Sequence, residues 1–497
     1  MSLTVAQVLD GVALVEPLPG EVADAAVSGL EYDSRRVGPG HLFFAFLGHR
    51  QDGRRYAPQA RERGALAVAC DAPQPDFDSG PWIRVADVRR ALALAARRFF
   101  RPAVEAVSLT GITGTNGKTT TAYLTDSVLR ASGRTTALVG TIEYQIAGRA
   151  RPAGNTTPES LDLYRIFDEL RQQGGSHATM EVSSHALAQG RVAGLAFHTA
   201  VFTNLSRDHL DYHSTLESYF AAKCELFRGD ELPAPGWAVL NRDDAWAARI
   251  PVAPGVETLW YGLDEGAGVR ATEIRSGFDG LRFTIEWRGG RWSVTSPLLG
   301  RMNVSNMLAA FAAGVTYGLD PDAMVAGFEA CQRIAGRFER VDEGQEFLVV
   351  VDYAHTDDAL RKATTAAREL DPARVITVFG CGGDRDRNKR PLMGQAAGEG
   401  SDLVILTSDN PRNEDPIAIM NDALVGLGRC DTPYRTEPDR ESAIRLAFSE
   451  ARAGDLVLIA GKGHETYQIL KDRTIDFDDR EVARRILRER GAVRGPR

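Results

Sequence analysis

A glycine-rich turn between an apolar segment and a helical pattern constrains this chain more than any other feature. The turn reads Gly111-Ile112-Thr113-Gly114-Thr115-Asn116-Gly117-Lys118-Thr119-Thr120. The apolar residues before it, 106–109, predict a short buried strand, and residues 121–131 predict a helix. Backbone N–H groups of such a turn surround phosphate oxygens, and the helix N-terminus adds partial positive charge. We therefore expect a nucleoside triphosphate site, with Lys118 on the terminal phosphates and a threonine hydroxyl on Mg²⁺.

The turn departs from the strict phosphate-binding pattern at one position. That pattern places a glycine where this chain has Ile112, and the glycine stands one residue earlier, at Gly111. A glycine-rich turn with an unrelated lysine is the alternative. We favour the nucleotide site because the strand, the helix and the Gly-Lys-Thr-Thr run occur together.

Composition limits the classes to which this chain can belong. Its 497 residues suggest about three domains, and 43% apolar and 25% charged residues are ordinary for a globular protein. A net charge of −8 without a basic block argues against nucleic acid and against an anionic membrane surface. No apolar run approaches the length of a transmembrane helix, and the start of the chain lacks signal-peptide features.

The spacing of cysteines and histidines bears on compartment and metal. Five cysteines stand singly, with no Cys-x-x-Cys pair, which is typical of reduced thiols in a cytoplasm. The nine histidines form no zinc-like pattern. We therefore expect a cytoplasmic protein, and we expect any metal to be Mg²⁺ brought with the nucleotide.

The alternation of strand and helix patterns predicts an α/β fold with three domains. Residues 1–104 predict a small mixed α/β domain, which Pro102 ends. Residues 105–333 predict a mostly parallel sheet covered on both faces, with antiparallel hairpins within 260–294. Residues 334–497 predict a Rossmann-like domain. Its strands are expected at 347–351, 375–379, 403–407 and 456–459, and its helices near 357–370, 390–400, 415–427 and 439–453.

Polar side chains follow most of the predicted strands, at the edge where parallel α/β sheets bind their ligands. These clusters are Glu181-Val182-Ser183-Ser184-His185, the segment 203–213, Asp352-Tyr353-Ala354-His355, the segment 380–387, Asp409-Asn410-Pro411-Arg412 and Gly461-Lys462-Gly463-His464-Glu465. One cluster would carry little weight. Their recurrence at successive strand ends predicts a ligand site between two sheets.

Together these residues resemble the muramyl ligase family, ATP-dependent amide-bond-forming enzymes of peptidoglycan precursor synthesis. The motifs that carry the resemblance are the phosphate-binding turn, the clusters beginning at Glu181 and Asn204, Asn303-Val304-Ser305-Asn306, Gly336-Arg337 and Asp352-Tyr353-Ala354-His355. The resemblance extends from Asp33-Ser34-Arg35 to the Gly461–Glu465 cluster. Within the family, Asp409-Asn410-Pro411-Arg412 is similar to the motif of the member that adds meso-diaminopimelate to UDP-N-acetylmuramoyl-L-alanyl-D-glutamate.

The resemblance implies a reaction and a set of ATP-site residues. ATP phosphorylates the substrate carboxylate, and the amine attacks the resulting acyl phosphate. The ATP-binding residues implied by the family are Gly114, Thr115, Asn116, Gly117, Lys118, Thr119, Thr120, Asn303, Asn306, Arg337, Asp352 and His355. Lys118, Glu181, His209 and Lys223 are implied to be catalytic, and Thr119, Glu181, His209 and Lys223 to hold Mg²⁺. Asn306 alone equally suits a turn.

Lys223 is the residue that composition alone would not select. As a lysine on a predicted helix it is expected at the surface. The family's equivalent lysine reacts with CO₂ to form a carbamate, an anionic metal ligand, which requires an unprotonated amine. Glu181 likewise has an alternative, as a strand-end carboxylate paired with a nearby base.

The nucleotide-sugar peptide has its own implied residues. They are Ser34, His49, Arg50 and Gln51 in the first domain, and Asn155, Thr156, Thr157, Ser183, Gln189 and Arg191 in the second. Thr156 and Thr157 equally suit a helix N-cap ahead of Pro158-Glu159, a role compatible with binding an anion.

The amino-acid site is implied to use Arg385, Asp409, Asn410, Pro411, Arg412, Gly461 and Glu465. Diaminopimelate differs from lysine by a second carboxylate, for which the planar guanidinium of Arg412 is a bidentate donor. Asp409 and Glu465 suit the far ammonium, and Arg385 suits another carboxylate. In a lysine-adding enzyme Arg412 would be an unpaired buried cation, at a cost of several kcal/mol. An ordinary turn at Asn-Pro is the alternative.

Three other functions stay open from the sequence. A family member that adds lysine is the nearest, and Arg412 argues against it. A folylpolyglutamate synthase shares the ATP domain, but we do not expect it to carry Asp33-Ser34-Arg35 or the diaminopimelate motif. An inactive nucleotide-binding partner of cell-wall enzymes would not need Lys118, Glu181, His209 and Lys223. We expect a monomer acting on small molecules, the UDP-muramoyl dipeptide, meso-diaminopimelate and ATP, without nucleic acid or membrane.

Overall fold

The computed structural model describes residues 3–47 and 52–494, with side chains to residue 491. Two units carry these residues. The first holds the described residues up to Trp260 together with Ala313–Leu319, and the second holds Tyr261–Ala312 and those from Asp320 onward. No helix in the described part is both long and apolar enough to cross a membrane.

The amino-terminal part of the first unit is built on a small parallel sheet. Its elements are α1 (Val5–Val8), α2 (Gly20–Ala23), β1 (Gly29–Glu31), β2 (His41–Phe44), α3 (Ala57–Glu62), β3 (Ala67–Cys70), β4 (Trp82–Arg84), α4 (Val88–Phe99) and α5 (Arg101–Ala106). The strands pair in the order β1-β2-β3-β4, all parallel. Asp87 caps α4 by accepting two backbone N–H groups, and its helix buries an alanine- and leucine-rich face.

A second sheet in the first unit carries the phosphate-binding turn. Its elements are β5 (Ser108–Thr113), α6 (Lys118–Ala131), β6 (Thr136–Val139), β7 (Glu143–Ile146), β8 (Arg149–Pro152), α7 (Ser160–Gln172), β9 (His177–Glu181), α8 (Ser184–Ala188), β10 (Thr199–Phe202), α9 (Leu210–His213), α10 (Leu216–Arg228) and β11 (Trp237–Asn241). The strand order is β11-β10-β5-β9-β6-β7-β8, parallel from β11 to β6. The mostly parallel sheet is therefore confirmed.

Two details around Pro102 differ from the sequence prediction. Pro102 does not end the helical structure but lies in the first turn of α5, where proline costs no helical hydrogen bond. The following strand begins at Ser108, later than predicted, and includes Gly111. A Cβ atom at Gly111 would lie 2.7 Å from Cε1 of Phe197. Gly111 is thus a packing glycine inside a strand, and the turn itself begins after Thr113.

The second unit contains an antiparallel ribbon and a second α/β sheet. Its elements are β12 (Glu257–Gly262, at the unit boundary), β13 (Val269–Gly277), β14 (Gly280–Trp287), β15 (Gly290–Ser296), α11 (Met302–Thr316), α12 (Pro321–Ala330), β16 (Glu339–Val341), β17 (Leu348–Asp352), α13 (Asp357–Arg368), β18 (Val375–Phe379), α14 (Lys389–Gly400), β19 (Leu403–Leu406), α15 (Pro416–Leu427), β20 (Tyr434–Thr436), α16 (Arg440–Glu450), β21 (Leu456–Ala460), β22 (Tyr467–Ile469), β23 (Thr474–Asp476) and α17 (Asp479–Arg494).

The α/β sheet of the second unit has the strand order β16-β17-β21-β18-β19-β20. Five of its strands run parallel, and β16 pairs antiparallel with β17. The four predicted strands and four predicted helices of this part are confirmed, with ends shifted by a few residues. The predicted hairpins are also confirmed, since β13, β14 and β15 form an antiparallel ribbon.

A tyrosine between two histidines lies at the amino ends of strands in the first unit. Tyr317 stacks on His198, with 4.2 Å between ring centroids, and meets His177 edge-on at 5.0 Å. Its hydroxyl is 2.9 Å from the Thr110 hydroxyl. Burial lowers the pKa of His177 from 6.5 to about 4, and nearby Arg134 adds to that effect. Burial also lowers the pKa of His198.

We expect these two histidines to make stability fall with acidity. Because their pKa values are lower in the folded protein, the unfolded chain binds protons more readily below pH 6.5. Stability present above that pH is then lost progressively towards about pH 4. Thermal unfolding of the double variant His177→Gln with His198→Gln should show a smaller loss of Tm between neutral pH and about pH 5. The exposed-site variant His355→Gln is the control. If the double variant loses as much Tm on acidification as this control does, the expectation is contradicted.

Candidate active site

The phosphate-binding turn joins β5 to α6. Two of its glycines have positive φ angles, 147° at Gly114 and 84° at Gly117. A Cβ atom at Gly114 would lie 1.9 Å from the Thr203 hydroxyl oxygen, so the turn requires glycine there. Gly117 immediately precedes α6, which begins at Lys118. The first N–H groups of α6 lack helical acceptors and are suited to phosphate oxygens.

The segment after β10 holds this turn in shape. The Thr115 N–H donates to the Asn204 carbonyl at 2.8 Å, and the Asn116 N–H donates to the Asn204 side-chain oxygen at 3.0 Å. The Thr203 hydroxyl donates to the Asn116 carbonyl at 2.7 Å. Ser206 completes the contact through its N–H, which donates to the Thr115 hydroxyl at 3.0 Å. The predicted cluster after this strand therefore shapes the turn through direct hydrogen bonds.

Two lysines share one carbonyl of the turn. Lys118 Nζ donates to the carbonyls of Gly114 at 2.9 Å and Thr115 at 2.8 Å, and Lys223 Nζ donates to the same Gly114 carbonyl at 2.8 Å. Lys223 is 1% exposed, with Nζ 4.3 Å from the centre of the Tyr219 ring. The expectation of a surface lysine from composition is wrong, because α10 packs this face against the turn.

The environment of Lys223 favours an uncharged amine. Burial lowers its pKa well below the ordinary lysine value, and the neighbouring Lys118 charge lowers it further, while Asp208 opposes the shift. A neutral amine is nucleophilic, whereas an ammonium ion is not. The buried position therefore supplies the chemical state that carbamate formation requires.

Glu181, at the end of β9, lies directly beside the turn. It is buried, and its carboxylate accepts hydrogen bonds from the Thr119 hydroxyl at 3.0 Å and the Thr141 N–H at 2.8 Å. The Thr141 hydroxyl is 3.2 Å from the same carboxylate and 3.0 Å from the Thr156 hydroxyl. A Cβ atom at Gly140 would lie 2.5 Å from Glu181 Oε1. Within the described residues Glu181 has no basic partner, so the ion-pair alternative is wrong.

Thr141 is a site residue that no sequence motif marks. The apolar pattern of residues 135–142 predicts a strand up to Ile142, whereas β6 ends at Val139 and leaves Gly140 and Thr141 at the strand end. Polar residues at strand ends were the signal used elsewhere. If the strand had been predicted to end at Val139, Thr141 would have been recognised as a polar residue at a strand end.

The side chains at this site fit Mg²⁺ held jointly with a nucleotide. In the part of the chain that the structure describes, no three His, Cys, Asp or Glu side chains are placed to hold a metal by themselves. Thr119 and Glu181 bring a hydroxyl and a carboxylate together, and Thr120 lies in the same buried helical turn. In nucleotide-dependent enzymes, Mg²⁺ is usually bound by only one or two protein oxygen ligands together with phosphate oxygens of the substrate.

His209 lies on the same side of the sheet, at the start of α9. Its φ of 51° is left-handed, and its ring centroid is 4.8 Å from that of His185 and 5.9 Å from that of Tyr219. Partial burial lowers the pKa of His209, which Asp208 opposes. The neutral imidazole that results is the form that binds metals. The sequence pattern predicts that Glu181 and His209 lie at the ends of neighbouring strands. This is wrong, because β9, which ends at Glu181, and β10, which precedes His209, lie on opposite sides of β5.

The residues implied for the muramoyl peptide lie together beyond β9. The Thr157 hydroxyl donates to the Glu181 carbonyl at 2.8 Å and accepts the Ser183 N–H at 3.1 Å. Arg191 donates to the Thr157 carbonyl at 3.0 Å and to the Gln189 side chain at 2.7 Å. Asn155 and Thr156 precede them on the same segment, and the Asn155 carbonyl accepts the Tyr144 hydroxyl. The N-cap alternative is wrong, because Glu159 occupies the cap position of α7.

The first-domain residues are only partly described. His49, Arg50 and Gln51 lie outside the described residues. Ser34 is buried, and its hydroxyl donates to the Gln59 side chain at 2.6 Å. The structure thus brings Ser34 next to α3, which contains Gln59.

In the second unit, three of the residues implied for ATP surround Tyr353. Arg337 lies over the Tyr353 ring at 4.8 Å, and the His355 ring centroid is 4.5 Å away. Asp352 accepts the Phe338 N–H at 2.7 Å, and burial raises its pKa. The Arg337 charge opposes that rise, so its guanidinium lies near the Asp352 carboxylate as well as over the Tyr353 ring, an arrangement suited to a nucleotide.

Asn303 and Asn306 lie near the start of α11 and are both buried. The Asn303 amide donates to the Leu299 carbonyl at 2.7 Å, and the Asn306 amide donates to the Asn303 side-chain oxygen at 2.9 Å. Asn306 lies within the helix, so the turn alternative is wrong.

The residues implied for the amino acid meet at the carboxyl ends of β19 and β21. A Cβ atom at Gly461 would lie 2.7 Å from Asp409 Oδ2, so the carboxylate rests against a glycine. The Asn410 amide donates to Glu465 at 2.8 Å. Lys462, which is fully buried, contacts the same Glu465 oxygen at 3.2 Å and the Asn410 side-chain oxygen at 3.3 Å. Lys462 received no role from the sequence, although its motif was noted.

Two arginines flank this cluster. Arg412 donates to the Gly383 carbonyl at 2.7 Å, and both Arg412 and Arg385 lie near the position of a Cβ atom on Gly382. Among the described residues neither guanidinium has a carboxylate at ion-pair distance. Arg412 is half-buried and Arg385 is exposed, so the expectation of a fully buried cation is wrong and its desolvation cost is smaller. Pro411 is buried against the Gly383 loop.

Three family models match consecutive parts of the chain. The model described as "Mur ligase family, catalytic domain" matches residues 26–100, "Mur ligase middle domain" matches 112–314, and "Mur ligase, glutamate ligase domain" matches 336–463. Together they cover most of the chain, and of the described site residues only Glu465 lies outside them, two residues beyond the last match.

Proteins and structures of known identity match over nearly the full length. A UDP-N-acetylmuramoyl-L-alanyl-D-glutamate--2,6-diaminopimelate ligase from Solibacter usitatus is 60% identical, over 98% of this chain and 99% of its own. The ligase of the same name from Geobacillus thermodenitrificans is 46% identical, over 93% and 95%. A solved structure of a ligase of this name is 34% identical, covers 99% of this chain and 100% of its own, and has a TM-score of 0.72. The three-domain α/β fold is therefore confirmed.

Proposed function

Because this chain belongs to the Mur ligase family, we propose that it adds meso-diaminopimelate to the D-glutamate of UDP-N-acetylmuramoyl-L-alanyl-D-glutamate, using ATP, in peptidoglycan precursor biosynthesis. The observation that carries the choice of amino acid is the Arg412 guanidinium, which lies against Gly382 and Gly383 and has no carboxylate at ion-pair distance in the described part of the chain. A second carboxylate on the ligand supplies that partner.

We assign each of the three substrates to one domain. Residues 1–104 bind the UDP-sugar, residues 105–333 bind ATP, and residues 334–497 bind the amino acid. The family models that match within these limits support the division. The protein acts in the cytoplasm as a monomer on small molecules, and binds neither nucleic acid nor membrane.

The first chemical step is phosphoryl transfer. The substrate carboxylate attacks the terminal phosphorus of ATP, the bond to ADP breaks, and an acyl phosphate forms. Lys118 turns from its carbonyl partners to the phosphates, with Gly114 and Gly117–Thr120 supplying N–H groups, while Thr115 and Asn116 keep the turn in shape through their bonds to Asn204. Thr119, Glu181, His209 and Lys223, the last as a carbamate, would hold Mg²⁺, which would neutralise phosphate charge when bound.

The second step forms the amide. The diaminopimelate amine attacks the acyl carbon, and the tetrahedral intermediate collapses with release of phosphate. Arg412 and Arg385 bind carboxylates of the amino acid, and Asp409 attracts its far ammonium. Thr157, Ser183 and Arg191 orient the muramoyl peptide, while Asn303, Asn306, Arg337, Asp352 and His355 bind the nucleotide.

Isotopic labelling of the D-glutamate carboxylate oxygens tests whether an acyl phosphate forms. When the D-glutamate carboxylate carries heavy oxygen, the acyl-phosphate route transfers one labelled atom to the released phosphate, because the C–O bond breaks in the second step. We expect mass spectrometry to find labelled phosphate that depends on ATP, Mg²⁺ and diaminopimelate together. Unlabelled phosphate with amide product would exclude an acyl phosphate, and phosphate without amide product would exclude the ligase.

A further inference from the structure

Three loops in the second unit build the proposed amino-acid pocket, and each follows a parallel strand. Gly382 and Arg385 follow β18, Asp409 to Arg412 follow β19, and Gly461 to Glu465 follow β21. In the sheet, β18 lies between the other two strands. The pocket geometry therefore depends on how far each strand end projects relative to its neighbours.

Arg440, in the first turn of α16, connects two of these strand ends. Its Nη1 donates to the Ser408 carbonyl at 3.2 Å and its Nη2 to the Ala460 carbonyl at 2.9 Å. Ser408 immediately precedes Asp409, and Ala460 immediately precedes Gly461. One guanidinium thus fixes the backbone on either side of the 2.7 Å approach that Gly461 permits to Asp409.

The end of β18 is held against the same backbone. A Cβ atom at Gly380 would lie 2.6 Å from the Thr407 carbonyl oxygen and 2.9 Å from the Asp409 nitrogen. The β18 and β19 ends therefore touch without an intervening side chain. A shift of the Ser408 backbone would be transmitted to the loop that carries Arg385.

Asp479 holds the Arg440 guanidinium in place. Its two carboxylate oxygens accept from Nε and Nη2, both at 2.7 Å, and both side chains are fully buried. A buried ion pair is weak evidence for a stabilising role, since apolar residues of similar volume often replace such pairs at little cost. The fork geometry instead fixes the direction of the remaining donors.

We propose that Arg440 and Asp479 are positioning residues that set the diaminopimelate pocket, by holding the Asp409 and Gly461 strand ends in register. This inference rests on the proposed function of that pocket. Because both side chains are fully buried, we expect them to act through the backbone of the pocket rather than by touching the ligand. Their loss should therefore impair diaminopimelate use while leaving the ATP and UDP-substrate sites intact.

The test uses the full-length double variant Arg440→Met with Asp479→Leu, which removes both charges together. The matched control is Arg374→Met with Asp455→Leu, because that pair (2.6 Å) lies at the amino ends of β18 and β21 in the same sheet. Arg374 also bonds a backbone carbonyl, that of Glu450, at 2.9 Å. Thermal unfolding and steady-state phosphate release are measured for both variants.

We expect kcat/KM for diaminopimelate to fall about 100-fold in the Arg440 double variant, as an ångström-scale misplacement does. KM for ATP and for the UDP-substrate should match the control. Equal diaminopimelate kinetics in the two double variants would overturn the proposal. If the double variant does not fold, Arg440→Lys replaces it, since an ammonium cannot form the fork; wild-type kinetics there would likewise overturn the proposal.

Arg412→Ala separates this inference from the function on which it rests. If the unaltered protein shows no diaminopimelate-dependent phosphate release, or if Arg412→Ala is not impaired, the pocket assignment fails and the positioning role with it. If Arg412→Ala is impaired while the Arg440 double variant behaves as its control, the positioning role alone fails.

Discussion

Replacing Lys223 with alanine should lower kcat by about 10³-fold, the scale on which loss of one preorganised charged group acts. The amine is fully buried, bonded to the Gly114 carbonyl and held with a lowered pKa, so it is placed to react with CO₂ and become an anionic ligand. Steady-state phosphate release measures the loss. Added acetate should restore part of the activity to Lys223→Ala, because a small carboxylate can occupy the space of the carbamate.

Two controls separate the carbamate from a simple positive charge. Lys223→Arg keeps a cation but cannot form the carbamate, since a guanidinium stays protonated. It should be as inactive as the alanine variant, whereas the exposed-site control Lys362→Ala should behave as the unaltered protein. Nuclear magnetic resonance after incubation with isotopically labelled bicarbonate should show one carbamate that Lys223→Arg lacks. Full activity of Lys223→Arg would contradict the carbamate role.

Replacing Arg412 with alanine should raise KM for meso-diaminopimelate about 100-fold. A bidentate hydrogen-bonded pair between charged groups contributes about 1.5–3 kcal/mol, and its loss leaves the far carboxylate without a partner. Both Arg412 and alanine carry a Cβ at the left-handed φ of 51°, so the backbone strain is unchanged, and the N–H bond to the Ile469 carbonyl is retained. Steady-state kinetics with varied diaminopimelate measures the effect.

The matched comparison is Arg385→Ala, which removes the exposed side chain that also lies near Gly382. We expect a smaller rise in KM there, because solvent screens an exposed charge more than a half-buried one. L-lysine, which lacks the far carboxylate, should show the same KM in the unaltered protein and in Arg412→Ala. If Arg412→Ala raises KM by the same factor for both amino acids, Arg412 supports the loop and does not bind the far carboxylate.

Local patterns were sufficient for much of the fold. The four inner strands of the second α/β sheet are runs rich in Val, Ile and Leu, and they were placed almost residue by residue, whereas the short edge strands β16 and β20 were missed. The exposed strand β8, Arg149–Pro152, was missed because it has no apolar alternation to mark it. Gly111 was taken for a turn residue because its reason for being glycine, the Phe197 ring, is distant in sequence.

For the candidate site too, residues in local motifs could be predicted from the sequence, and residues brought together by packing could not. Residues in contiguous motifs, such as the phosphate-binding turn, could be identified because their spacing reflects one local geometry. The burial of Lys223 could not, since it depends on how α10 packs against the turn. Arg440 and Asp479 are 39 residues apart and carry no motif, so only the folded chain shows that they meet.

The amino acid that the pocket accepts decides whether the proposed function is correct. Phosphate release by the purified protein with UDP-N-acetylmuramoyl-L-alanyl-D-glutamate, ATP and Mg²⁺ should be compared for meso-diaminopimelate and L-lysine at equal concentration. We expect release with diaminopimelate to exceed release with lysine by about 100-fold, as loss of the Arg412 pair implies. Equal release, or a preference for lysine, would leave an ATP-dependent ligase but contradict the assignment of its substrate.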